Sequence, residues 1–195
     1  MLKQSEILAA FEETKAYLSG HFLLTSGLHS PHYFQCAKVL QHPGHMTLLC
    51  ADIAKKLEKT PVDVVIGPAL GGIVPAQETG RLLNRRTLFA ERENERMTLR
   101  RGFEIARGER VVIVEDVLTT GKSIREVAEI VRECGAALSA VAVIVDRSGG
   151  KVDFGVPLVS LVTLETVTYR PEECPLCRKG LPLVKPGSRK QGGKP

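Results

Sequence analysis

The stretch that decides the fold is Val111-Val-Ile-Val-Glu-Asp-Val-Leu-Thr-Thr-Gly-Lys-Ser123. Its four β-branched residues predict a strand that is buried on both faces, because a half-exposed strand would alternate apolar and polar residues. Thr-Thr-Gly predicts a turn, and the apolar spacing from Lys122 to Cys134 predicts a helix. The segment therefore predicts a strand, a turn and a helix of a parallel α/β sheet.

Similar apolar runs lie on both sides of this unit and alternate with helical patterns. Strands are predicted at 62–66, 87–90, 138–145 and 157–164, and helices at 7–18, 46–59, 73–84 and 122–134. Ser19-Gly20 is expected to end the first helix. We therefore expect an α/β fold with a central, mostly parallel sheet flanked by helices.

Composition narrows the class of protein. A net charge of +5 is compatible with nucleic acid or with a small polyanionic substrate. Three Tyr, six Phe and no Trp are few for a protein that stacks on bases, so nucleic acid is an unlikely partner. No apolar run approaches the roughly 18 residues of a membrane span, and acids interrupt the apolar N-terminus, so we expect a cytoplasmic protein.

The residues at the end of the 111–114 strand suit a sugar phosphate. Ligands of parallel sheets bind at the carboxyl ends of strands, where a following helix offers free N–H groups to an anion. Glu115 and Asp116 can accept hydrogen bonds from the vicinal hydroxyls of a ribose. Thr119, Thr120 and the residues up to Ser123 can hold its 5-phosphate. The alternative is a capped turn with two solvated acids.

The ending Thr120-Gly-Lys-Ser123 also resembles a Walker A motif. That motif needs a glycine five positions before its second glycine, and Asp116 stands there. An acid at this position would repel the β-phosphate, so we reject an ATPase or GTPase.

The whole segment resembles the phosphoribosyl-pyrophosphate (PRPP) motif of type I phosphoribosyltransferases. The resemblance implies that Glu115, Asp116, Val117, Leu118, Thr119, Thr120, Gly121, Lys122 and Ser123 bind PRPP. Gly67-Pro-Ala-Leu-Gly-Gly72 resembles the family loop that faces pyrophosphate, which adds Leu70 and Gly71. The resemblance covers residues 5 to 187. It implies one domain over 1–185, with a hood from about 1–40 plus 155–185, before a flexible tail at 186–195.

Other segments resemble the orotate phosphoribosyltransferase family. Leu24 to Phe34 is similar to its N-terminal substrate segment, which implies that Tyr33 and Phe34 contact the pyrimidine; from pattern alone they would be strand residues. The resemblance places Arg147 against the carboxylate of orotate, with Thr119 beside the base. A guanidinium matches a carboxylate bidentately, although an arginine at a strand end can also be merely solvated.

Residues 91–101 resemble the family's mobile catalytic loop, which closes over the partner subunit's active site in a homodimer. The candidates for catalysis are therefore Arg92, Arg96, Arg100 and Arg101, together with Asp116. The alternative is a solvated charged hairpin. The loop departs from many family members because it has arginines and no histidine.

The resemblance implies transfer of phosphoribose from PRPP to orotate, giving orotidine 5′-monophosphate and pyrophosphate in pyrimidine biosynthesis. Mg²⁺ is the expected cofactor, held mainly by substrate oxygens, and no side chain is assigned to it. Two other functions stay open: a phosphoribosyltransferase for a purine base or xanthine, and a non-catalytic PRPP sensor that binds nucleic acid.

Cys174-Pro-Leu-Cys177 has the spacing of half a zinc site. No second pair or histidine follows it, since every histidine lies between Met1 and His45. The alternative is two thiols in a surface turn, and the sequence leaves both open.

Overall fold

A computed structural model describes residues 1–24, 26–164 and 167–186, so all of the predicted tail except Pro186 lies outside the described residues. The helices are α1 (Gln4–Glu13), α2 (Ala37–Leu40), α3 (Pro43–Lys56), α4 (Ile73–Leu83), α5 (Lys122–Glu133) and α6 (Pro175–Arg178), with a 3-10 turn at Pro171–Glu173. The strands are β1 (Tyr17–Leu23), β2 (His29–Phe34), β3 (Val64–Pro68), β4 (Arg86–Glu93), β5 (Arg96–Thr98), β6 (Arg110–Leu118), β7 (Ala137–Asp146) and β8 (Leu158–Thr163).

The described strands of the central sheet follow the order β5-β4-β3-β6-β7-β8. All neighbouring pairs are parallel except β4 and β5, which form an antiparallel edge hairpin. Helices cover both faces of the sheet, so the predicted fold class is confirmed. None of the helices in the described ranges has both the length and the apolar character of a membrane span.

Alternation along β6 explains why residues 111–114 are all apolar. Val112 and Val114 pack into a core shared with α1, α3 and α4. Val111 and Ile113 point the other way, into a core shared with α5. A strand covered on both faces favours apolar side chains, so the four residues before Glu115 are all apolar.

β3 and β6 are neighbours in the sheet, and the connections that follow them run to opposite edges of the sheet. From β3 the chain passes through α4 to β4 on one side, and from β6 it passes through α5 to β7 on the other. The two helices therefore cover opposite faces and leave a crevice between the strand ends. The turn after β6 and the loop after β3 both open into this crevice.

The N-terminal hairpin, β1 with β2, is a separate two-stranded sheet. It is joined to the C-terminal segment, residues 167–186, by backbone bridges between His29 and Tyr169 and between Phe22 and Val184. The first and last parts of the chain therefore form one layer beside the central sheet. The division of the chain into a hood and a main body, as expected above, stays a prediction.

The first helix is shorter than predicted, and that prediction was wrong. The helix ends at Glu13, and Lys15 turns the chain with a φ of +54° before β1 begins. The apolar spacing continued to Tyr17 because Tyr17 packs against the same core as Ile7 and Phe11. Shared burial, and not shared helical structure, produced the period.

Candidate functional site

Two adjacent carboxylates lie at the carboxyl end of β6. Glu115 is only 6% exposed, and its carboxylate accepts hydrogen bonds from the hydroxyl of Ser123 and from the Asp116 N–H, each at 3.1 Å. Asp116 is half-buried and accepts a 2.7 Å bond from the Val117 N–H. The structure thus holds both acids beside the turn that begins α5. The alternative of two solvated acids does not fit their burial.

The turn after β6 surrounds a cavity of about 220 Å³, which is lined by residues 117–124 and by Arg92. Gly121 has a φ of +76°, and a Cβ there would lie 3.0 Å from the ring of Phe154. Glycine therefore permits both the left-handed turn and the close packing beneath it. α5 begins at Lys122, so the N–H groups of its first turn and its positive dipole end face this region.

The loop after β3 approaches the same acids. A Cβ on Gly71 would lie 2.6 Å from Oδ1 of Asp116, so only glycine fits this close approach. Leu70, which precedes it, is largely exposed at the crevice. The structure therefore brings Leu70 and Gly71 to the acid pair, although the two segments are about 45 residues apart in the sequence.

Burial controls the charge of the acid pair. Burial raises the pKa of Glu115 well above its usual range, and the neighbouring negative charge of Asp116 raises it further. Burial also raises the pKa of Asp116. Hydrogen-bond donors or a cation that reached these carboxylates would favour their ionised forms and lower both pKa values. The pair is therefore arranged to respond to a ligand that carries hydroxyls or positive charge.

A larger cleft of about 450 Å³ lies next to the turn. Its lining brings together Tyr33 and Phe34 of β2, Thr119 and Thr120 of the turn, and Arg147 after β7. The guanidinium carbon of Arg147 lies 5.7 Å from the Phe34 ring centroid. Burial lowers the pKa of Arg147, yet an arginine stays protonated at neutral pH. A partly desolvated cation beside two aromatic rings suits a flat anionic ligand.

The sequence assigned no individual role to five residues that line this cleft, although two of them fall in the segment that resembles the family's substrate segment. They are Leu23, Leu24, Ser26, Lys185 and Pro186. Lys185 adds a second positive charge, although the sequence assigned it no role. The bond from the Leu23 N–H to the Val184 carbonyl, 2.8 Å long, draws Lys185 to the cleft. No local pattern signals a contact between residues this far apart in the chain.

Arg92 is the predicted loop arginine that reaches the turn. Its guanidinium makes a 2.7 Å ion pair with Glu126 of α5 and donates to the carbonyl of Glu95 at 2.6 Å. It lines the cavity around residues 117–124. Arg92 is therefore the loop cation best placed to meet a phosphate held within one subunit.

The other three loop arginines lie further along the β4–β5 hairpin. Arg100 is 3.4 Å from a carboxylate oxygen of Glu93, and Arg101 is 3.0 Å from one of Glu91. Arg96 lines a separate depression beside the acidic outer face of α5. The β4–β5 hairpin packs on α5 of its own chain, so the structure does not bring these three arginines to the turn after β6. Their catalytic roles stay predictions that depend on a second subunit.

Comparisons with known proteins agree with this geometry. A family model described as phosphoribosyl transferase domain matches residues 37–165. A protein of Caldicellulosiruptor bescii named orotate phosphoribosyltransferase is 56% identical over 190 residues, which is 97% of this chain and 100% of that protein. One of Pelotomaculum thermopropionicum with the same name is 57% identical over 189 residues, again 97% and 100% of the two chains.

Among solved structures, orotate phosphoribosyltransferase from Aeropyrum pernix superposes with a TM-score of 0.69 at 28% identity. That match covers 82% of this chain and 94% of the other. The family model spans the sheet and the turn after β6, while the relatives extend the match over the hairpin and the C-terminal segment. This chain therefore belongs to the phosphoribosyltransferases, and among them to the orotate phosphoribosyltransferase family.

Proposed function

We propose that the chain transfers the 5-phosphoribosyl group of PRPP to orotate, which yields orotidine 5′-monophosphate and pyrophosphate for pyrimidine biosynthesis. One observation carries the proposal: Tyr33, Phe34 and Arg147 line a single cleft with Thr119 and Thr120 of the phosphate turn. A cleft of this kind places an aromatic carboxylate next to a sugar phosphate. Relatives named for this activity match 97% of the chain.

Each part of the cleft has a proposed partner on the substrates. Arg147 pairs with the carboxylate of orotate, and the rings of Tyr33 and Phe34 contact the pyrimidine. Glu115 and Asp116 accept hydrogen bonds from the ribose hydroxyls, while residues 117–123 hold the 5-phosphate. Holding both substrates in line is the main contribution of these residues, because the reaction needs no covalent intermediate with the protein.

The anomeric carbon gains positive charge as pyrophosphate departs. Leu70 and Gly71 are proposed to lie against the pyrophosphate. Two carboxylates in the crevice are hard oxygen donors of the kind that Mg²⁺ prefers. They therefore fit Mg²⁺ that is held mainly by substrate oxygens, which would neutralise charge on the leaving group.

We further propose a homodimer in which residues 91–101 of one subunit close over the crevice of the other. Arg92 already lies at the turn, and Arg96, Arg100 and Arg101 would meet pyrophosphate across the interface. Closure would exclude water from activated PRPP and limit its hydrolysis. Sedimentation of the purified protein would measure whether it forms a dimer. The cytoplasmic location that the sequence leads us to expect stays a prediction.

The direct test mixes the protein with PRPP, Mg²⁺ and orotate and follows the ultraviolet absorbance of orotate. We expect the absorbance to fall at a rate proportional to protein concentration and pyrophosphate to appear in equal amount. Adenine, guanine, hypoxanthine and xanthine serve as alternative bases in the same assay. Faster pyrophosphate release with one of them would show that this base, and not orotate, is the preferred substrate.

A non-catalytic sensor of PRPP is the second alternative. It predicts no turnover with any base, together with binding of nucleic acid that weakens steeply with salt. The relatives that cover 97% of the chain are named as phosphoribosyltransferases, which favours catalysis over sensing. Turnover with orotate would exclude this alternative.

A further inference from the structure

Two histidines and two cysteines meet where the N-terminal hairpin joins the C-terminal segment. They are His21 of β1, His29 of β2, and Cys174 and Cys177 around the first turn of α6. One ligand atom from each lies within 4.8 Å of all the others. From this convergence we propose that the four residues bind one structural zinc ion.

The distances suit a tetrahedral ion. Zn–N bonds of about 2.0–2.1 Å and Zn–S bonds of about 2.3 Å imply ligand separations of about 3.3 Å for N···N and about 3.6 Å for S···N. Nε2 of His21 lies 2.9 Å from Nδ1 of His29 and 3.6 Å from the sulfur of each cysteine. The Cys177 sulfur lies 3.3 Å from Nδ1 of His29. Small shifts of the side chains would thus admit zinc.

The surroundings fix the coordinating atoms. Nδ1 of His21 lies 2.9 Å from the Leu181 carbonyl, so its N–H can donate there and leave the Nε2 lone pair facing the cluster. His21 and His29 are each 4% exposed, and Cys174 is 0% exposed. Among the described residues, the ligand atoms that face the cluster pair only with one another, and a shared cation would satisfy all four at once. Cys177 is exposed, which gives an ion a path of entry.

The ligand set indicates a structural ion. Two cysteines and two histidines complete a tetrahedron and leave no open position for water or substrate, as in closed zinc sites. None of the four is among the described residues that line the cleft beside the turn. The ion would therefore act on folding and not on the chemistry.

This arrangement corrects the reading of Cys174-Pro-Leu-Cys177 as two thiols in a surface turn, because Cys174 is buried. The sequence offered no nearby second pair of ligands, and the structure supplies it from residues about 150 positions earlier. The bridge between His29 and Tyr169 and the bonds between His21, Leu23 and Val184 bring the two halves together.

The proposed ion would hold the hairpin to the C-terminal segment. The place where the N-terminal hairpin meets the C-terminal segment, here called the joint, lies beside the cleft of about 450 Å³. The hairpin contributes Leu23, Leu24 and Tyr33 to the lining of that cleft, and the C-terminal segment contributes Lys185. Zinc would therefore preserve the shape of the cleft while contacting neither substrate. Its binding energy would appear as stability of the folded chain.

Zinc content of the full chain, purified without a histidine tag, gives the first test. We expect about one zinc per chain in the wild type, and less than about a tenth in Cys174→Ser and in His29→Asn. Cys134→Ser and His42→Asn are matched controls outside the cluster, and they should keep the wild-type content. Zinc content that neither Cys174→Ser nor His29→Asn lowers would overturn the proposal.

A second measurement decides the matter if the variants do not fold. Metal-free wild-type protein is titrated with Co²⁺, and we expect the visible bands of tetrahedral cobalt with a thiolate charge-transfer band, both removed by added Zn²⁺. Thiols are counted in the same metal-free sample. A protein with all its thiols reduced that gives no cobalt spectrum overturns the proposal, and so does a disulfide between Cys174 and Cys177 in the purified wild type. Neither measurement involves PRPP or a base.

Discussion

The turn after β6 and the joint between the hairpin and the C-terminal segment contribute to one cleft in opposite ways. The turn belongs to a single run of nine residues from Glu115 to Ser123, which comprises the end of β6, the turn itself and the start of α5. The joint unites residues from the two ends of the chain, such as Leu23 and Lys185, which meet through a few backbone bonds. The first is therefore formed by residues that are consecutive in the sequence, while the second depends on the completed fold.

This difference separates the two tasks of the enzyme. The turn carries the residues proposed for PRPP, the substrate that every phosphoribosyltransferase shares. The hairpin carries Tyr33 and Phe34, the residues proposed to contact the base. Changes in the turn should lower turnover with any base, whereas changes at the hairpin should alter the choice of base. Three substitution experiments test that division, and a fourth tests the burial of the acid pair.

The largest effect is expected from Glu115→Gln combined with Asp116→Asn. The amides keep the size of the side chains but remove the charges that accept hydrogen bonds from the ribose, so kcat/KM should fall by about 10³-fold. Steady-state kinetics with PRPP and orotate measures the change, and circular dichroism checks the fold. Asp63→Asn, at the other end of the sheet beside Arg110, is the control and should stay near wild type. Full activity of the double variant would reject the ribose assignment.

Arg147→Ala should lower kcat/KM for orotate by about 100-fold, because the carboxylate would lose a partly buried partner. Uracil lacks that carboxylate, so the preference of the enzyme for orotate over uracil should shrink by a similar factor. Arg147→Lys keeps the charge without the bidentate geometry, so its kcat/KM for orotate should lie between those of the wild type and Arg147→Ala. An unchanged preference in Arg147→Ala would place the carboxylate elsewhere.

Tyr33→Leu should raise the KM for orotate roughly 10-fold, because an aromatic contact with the base is replaced by an aliphatic one. The KM for PRPP should change little, since the turn is untouched. Tyr33→Phe removes only the hydroxyl, which donates to Gln35 at 3.3 Å, and should behave like the wild type. Equal rises in both KM values for Tyr33→Leu would contradict the separation of the two regions.

The smallest effect concerns stability and pH. The pKa of Glu115 is raised in the folded state above its ordinary value of 4.5, so the folded chain holds a proton that the unfolded chain releases first. The stability of the wild type should therefore fall as the pH rises above 4.5, and Glu115→Gln should remove that part of the dependence. Thermal unfolding of both proteins from pH 4 to pH 8 measures the difference. A constant gap in Tm across this range would show that the acid does not titrate as inferred.

The sequence predicted five of the six described strands of the central sheet and missed β5, because the other strands are runs of apolar residues and β5 lies in a charged segment. Val111 to Val114 are apolar on both faces, and two cores require that pattern whatever surrounds it. The sugar-phosphate segment at the end of β6 was also recognised from the sequence, since its acids, hydroxyls and glycine lie close together in the chain. Local physics was enough for both.

The first helix and the cysteine pair show where such reading fails. Tyr17 repeats the helical spacing only because it reaches the same core from a strand. Cys174 acquires its neighbours from His21 and His29 through pairing of the chain ends, and no local pattern encodes that contact. Lys185 likewise reaches the cleft through pairing of the two ends of the chain. Contacts of this kind depend on tertiary pairing and need a structure.

The bridge between His29 and Tyr169 has a consequence for biosynthesis on the ribosome. Translation proceeds from the N-terminus, so the hairpin leaves the exit tunnel long before its backbone partners at 169 and 184 exist. The sheet and the turn after β6 can assemble on the nascent chain, but the cleft proposed to hold the base is completed last. A polypeptide released before Tyr169 would keep the aromatic rings of that cleft but would lack Lys185 and Pro186 from its lining.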